Sequence, residues 1–137
     1  MNRSALWLPG VAVVFGLSLY ANIGGAWMGD PARGTHLAAT AVYLLFWVTF
    51  TLTARSPGRF KVCLFMSALS LFTAVIRLLV HAAGLDFLML PALLFTLLFS
   101  VPLYGLRCFM GWTALDALTG VLSLIWLIYA AKKLKAD

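Results

Sequence analysis

The chain has 137 residues, of which 64% are hydrophobic and 10% charged, with a mean hydropathy of +1.02. So little polar surface cannot clothe a water-soluble globule of this size, and an all-α integral membrane helical bundle solvated by lipid is the expected fold. The net charge of +6 does not point to nucleic acid, because the cations sit at the ends of apolar segments rather than in a stripe interleaved with aromatics; anionic lipid headgroups are the partner they fit.

About 20 apolar residues cross a ~30 Å hydrocarbon core, and that length is the ruler for the chain. The first run is 5–28, with Trp7 and Trp27 near its two ends as interfacial aromatics prefer. Pro9 interrupts its apolar stretch early and no small-x-small cleavage site follows, so it is expected to be a retained helix rather than a cleaved signal. Ala21, Gly25 and Gly29 recur every four residues and read as a ridge along which two helices approach. Asn22, beside that ridge, reads as interhelical hydrogen-bonding glue or as a substrate ligand.

"GDPARGTH" closes the first run, and the second occupies 37–54. "RSPGRFK" is the clearest loop of the chain, with Pro57–Gly58 and three cations. The third run, 62–83, ends at Gly84, a residue suited to a helix C-terminus. On it, Thr73, Arg77 and His81 repeat every four residues as one polar stripe, with Asp86 in the loop beyond. Two readings stand. Arg77 lies 16 residues beyond Lys61, ~24 Å along a helix, from where its stem can snorkel to the interface. Alternatively the stripe lines a polar vestibule, with Arg77 holding an anion or carboxylate and His81 titrating.

The fourth run, 87–106, is broken by Pro91 and Pro102, with Thr96 and Ser100 between them to satisfy freed backbone groups or line a path. The fifth, 113–131, ends in Lys132, Lys133 and Lys135, which suit the negative end of a helix dipole. Near its start, Thr113 and Asp116 have capping-box spacing, so Asp116 reads as a cap or as an intramembrane carboxylate, with Arg107 across the turn to neutralise it.

Five spans are therefore expected, with four spans plus a re-entrant or proline-broken segment as the alternative. Orientation bears on the choice. Five spans leave the Lys and Arg residues nearly evenly divided between the two sides, whereas four crossings return the C-terminal lysines to the side of Arg55, Arg59 and Lys61.

Cys63 and Cys108 belong to no close-spaced Cys/His cluster, and His36 and His81 fall on different segments, so neither a metal site nor a haem is expected, and no other cofactor. The four acidic residues are all aspartates, and no nucleophile and base share a recognisable spacing, so no catalytic residues are expected and the chain is not read as an enzyme. Two functions remain. One is a small transporter or channel for a small solute or ion, working as a homo-oligomer in a bacterial-type cytoplasmic membrane, with Arg77, His81, Asp86, Asp116, Asn22 and Thr73 along its path. The other is a non-catalytic accessory, assembly or immunity subunit bound to a membrane-protein partner.

Overall fold

The computed structural model describes residues 7–136, and these are almost wholly helical. Four helices are long and apolar enough to cross a membrane: α1 (Trp7–Met28), α2 (Gly34–Leu52), α3 (Pro57–Ala83) and, last in the chain, α5 (Trp112–Ala136). Between α3 and α5 lie a single 3-10 turn (Asp86–Leu88), the short α4 (Met89–Phe99) and a 3-10 segment (Val101–Cys108). The start of the first expected span at residue 5, with Arg3 and Asp137, lies outside the described residues.

The fourth expected span is therefore not a span. With 11 residues, α4 reaches only ~16 Å. Pro91 is harmless in its first turn, where the amide has no helical partner. Pro102 is the breaker: it has no N–H for the Leu98 carbonyl and disfavours helical geometry at Val101. The chain continues as an eight-residue 3-10 segment, long for that geometry, and turns back.

Contacts along the two limbs show the return. Ala92 packs on Ile76 and Val80 of α3, and Phe95 meets Phe72 edge to face, deeper along the same helix. On the way back Leu103 meets Tyr43 of α2, Tyr104 meets His36, and Cys108 Sγ lies 3.2 Å from the Ala32 carbonyl in the α1–α2 loop. The pair of limbs is a re-entrant hairpin that enters and leaves at one end of the bundle, here called the hairpin end. At the opposite end, Trp7 and Val11 of α1 cluster with Phe50, Cys63 and Ala130, so α1 begins where α5 finishes.

Two sub-bundles make up the molecule. In one, α3 and α5 run antiparallel in close contact, where Gly120 leaves room for Ala74, and α4 packs on α3. In the other, α1, α2 and the Val101–Cys108 segment pack together. Burial is inverted relative to a soluble protein. Ser18, Asn22, Thr40, Thr73, Arg77, Asp116 and Thr119 are buried, while Leu17, Val42, Leu45, Phe65, Leu94 and Ile125 face outward. A greasy exterior around a polar interior is what lipid selects, and the chain is a small helical membrane protein.

Small residues are spent differently from the expected ridge. Gly25 is buried under the side chains of His36 and Tyr104, Ala21 faces outward, and Gly29 adopts φ +71° just past the end of α1, a conformation glycine takes without steric cost. These three residues do not form one interface.

Candidate functional site: a buried ion pair and a polar seam

Arg77 stands six residues before the end of α3, and Asp116 four residues into α5. Both therefore lie roughly 6–9 Å inside the helix ends, where an unpaired charge is costly. They meet: Arg77 Nε donates to Asp116 Oδ1 at 2.6 Å, the one salt bridge among the described residues. Arg77 Nη1 donates to Thr96 Oγ1 of α4 at 3.2 Å. Its guanidinium carbon also stands 4.7 Å from the centroid of the Trp112 ring, and that of Arg107 stands 4.6 Å from the same ring.

Arg77 does not snorkel. It is 8% exposed and turns inward, because a carboxylate on the neighbouring helix offers a charge-assisted bond that a lipid-facing route lacks. Nor is Asp116 a helix cap. It is 1% exposed, it accepts a hydrogen bond from Arg77, and Oδ2 has no partner among the described residues. Arg107 does not neutralise it but lies over Trp112.

His81 and Asp86 are exposed, one helix turn or more beyond the pair, and neither is ion-paired among the described residues. Thr73 is buried and returns its hydroxyl to the Leu69 carbonyl of its own helix at 2.8 Å. Asn22, fully buried, belongs to a different cluster: its Nδ2 donates to the Pro102 carbonyl at 3.4 Å, joining α1 to the hairpin tip. The residues expected to share one path thus separate into an ion pair, a hairpin anchor and an exposed rim.

From the ion pair a line of small hydroxyl residues runs toward the opposite end. Arg77, Ser70 and Ser67 fall on one face of α3, and Asp116, Thr119 and Ser123 on one face of α5, at spacings of three, four and seven. Ser67, Ser70, Thr119 and Ser123 line a cavity of about 100 Å³ between the sub-bundles, together with Tyr43, Trp47, Phe99 and Leu103. At its far end Cys63 Sγ lies 3.5 Å from Thr51 Oγ1, which also accepts a 2.8 Å bond from Trp126 Nε1. Sequence reasoning passed over these four hydroxyl residues. Their signal was the same three- and four-residue spacing that marked Thr73, Arg77 and His81, but serine and threonine are common in membrane helices and stand out little among apolar neighbours.

No group of three or more His, Cys, Asp or Glu side chains forms a metal site among the described residues. Comparison with protein families, with curated proteins and with solved structures finds no match to this chain.

Proposed function

We propose that the chain is a small transporter or channel whose path is the seam between α3 and α5, with the Arg77–Asp116 pair as its gate. The observation that carries this reading is the pair's position at the head of an interior line of hydroxyl groups leading to a cavity. Asp116 Oδ2, buried and unpartnered, is free to accept a proton or a solute donor. Ser70, Thr119, Ser67 and Ser123 offer successive hydrogen bonds to a small solute or to a water file. Self-association belongs to the proposal: on the outward face of α1, Gly16 and Gly24 have open space where a Cβ would stand, which lets another helix approach closely.

Reconstitution in proteoliposomes tests it, with two probes. One is proton entry, followed by a trapped pH dye under an imposed potential; the other is glycerol permeation, followed by light scattering. Flux above protein-free vesicles for either probe, falling at least about tenfold in Asp116→Asn, supports a path. Parent vesicles as tight as protein-free ones to both probes retire it.

A second reading is supported by one specific contact. Arg77 holds Asp116 and Thr96 together, so the pair also ties α4 to α3 and α5. A pair that serves only this purpose belongs to a non-catalytic subunit whose polar interior sets its shape for a membrane-protein partner. That reading stands if the vesicles stay tight.

A further inference from the structure

The cavity between the sub-bundles is lined by hydroxyl groups and ring faces that the fold itself leaves unused. Ser67 and Ser123 are each only 8% exposed, yet neither hydroxyl is hydrogen-bonded among the described residues. Thr119 differs, since it returns its hydroxyl to the Leu115 carbonyl at 2.8 Å. Of the four rings that line the cavity, Tyr43 and Trp47 meet edge to face at 6.2 Å, whereas Phe99 and Trp126 pair with no other ring among the described residues. Trp126 is held in place by its N–H bond to Thr51, so its indole is a fixed surface.

Ser70 and Ser123 stand level with each other. Helices α3 and α5 run antiparallel with Arg77 against Asp116, and each serine lies seven residues from its member of that pair, ~10 Å deeper along its own helix. A single ligand hydroxyl set between them can donate to one serine and accept from the other. Ser70 is also the midpoint of α3, ~20 Å from either end. No charged side chain lines the cavity among the described residues. An ion would arrive there stripped of water and without a counter-charge, so the occupant is neutral.

Size narrows the class further. An apolar cavity of about 150 Å³ holds benzene. The volume here, about 100 Å³, admits one six-membered ring once the flexible Met66 in its lining gives way, and excludes two fused rings. Water is the competing occupant, but a buried water needs two to four polar partners, which the serine face alone offers.

We infer that the cavity binds a neutral single-ring aromatic alcohol of the phenol class, its hydroxyl between Ser70 and Ser123 and its ring against Phe99 and Trp126. Ring faces and free hydroxyls are then both used. This names the solute class for the seam between α3 and α5, and it rests on the proposed path for passage across the membrane but not for binding.

The test is quenching of tryptophan fluorescence by 4-bromophenol, a heavy-atom quencher, with the full chain in nanodiscs of zwitterionic lipid. Trp47 and Trp126 line the cavity, so a saturable quench is expected, limited to the share of these two among the five tryptophans. Bromobenzene, which lacks the hydroxyl, should bind about fivefold more weakly when each probe is referred to its concentration in the bilayer. Ser70→Ala should bring 4-bromophenol down toward the affinity of bromobenzene, 1-naphthol should fail to displace it, and Ser123→Leu, which fills the space, should abolish the saturable part. Comparing the two probes on the parent protein needs no variant to fold. Quenching of the parent that only rises linearly, as partition into lipid gives, overturns the site, as does equal affinity for the two probes. Saturable binding in a protein whose vesicles stay tight keeps this site and retires the path; flux without saturable binding keeps the path and overturns this ligand class.

Discussion

Gly105 of the hairpin lies against the backbone of His36 and Leu37 in α2, so close that a Cβ at position 105 would stand 2.6 Å from Leu37 Cα and nearer still to the His36 carbonyl. Neither neighbour is a side chain that could swing aside. Gly105→Ala must therefore push the returning limb away from α2, breaking the Gly105–Thr40 bond with it. The expected loss is about 3 kcal/mol. Gly24→Ala, with nothing within 4 Å of its added carbon, should stay within about 0.5 kcal/mol of the parent. Thermal melts followed by tryptophan fluorescence check both.

Asp116→Ala strands the Arg77 guanidinium in the bundle interior and is expected to cost about 3–5 kcal/mol. The double variant Arg77→Met with Asp116→Leu removes both charges and should recover most of that loss, because an apolar pair needs no desolvation of ions. Melting each in the same detergent gives the answer: a double variant no more stable than Asp116→Ala would show that the pair contributes more than charge neutralisation.

The two cysteines report the hairpin directly. Five spans would set Cys63 and Cys108 at the same side of the membrane. The hairpin instead leaves Cys63 buried near the end where α1 begins and Cys108 exposed at the opposite end. A membrane-impermeant maleimide should label Cys108 in oriented vesicles of one sidedness and not of the other, while Cys63 stays unlabelled until the protein unfolds. Among the described residues, Arg55, Arg59, Lys61, Lys132, Lys133 and Lys135 lie at the end opposite Cys108, with Arg33 and Arg107 at its own. The excess of cations is expected to face the cytoplasm, so Cys108 should react from outside.

Trp126 and Thr51 join the two sub-bundles through one 2.8 Å bond. Thr51→Val and Trp126→Phe should each cost about 1 kcal/mol. The two together should cost clearly less than the sum, since both remove the same bond. Simple additivity in a melting series would dismiss the bond as a link between the halves.

Membrane residence could be read from the sequence because it is a property of sums: apolar residues outnumber what any water-facing surface admits. The break at Pro102 was legible too, since a proline removes a particular amide and its effect is local. What it led to was not, because a kinked span and a re-entrant hairpin share that signature until Tyr43, His36 and the Ala32 carbonyl receive the returning limb. Arg77 was recognised as costly, but its direction depended on Asp116, 39 residues away and disguised by capping-box spacing. Pairing across such a separation leaves no trace in local periodicity. Gly25 and Asn22 share one partner, the Val101–Cys108 segment, which lay hidden inside an expected transmembrane helix.

Four crossings are an even number, so the last turn of α5 emerges beside the first turn of α1. Two copies joined head to tail by a short flexible linker would each insert in the sense of a lone copy, with no added hydrophobic segment between them. Such a concatemer allows one protomer of a pair to be altered while the other stays intact.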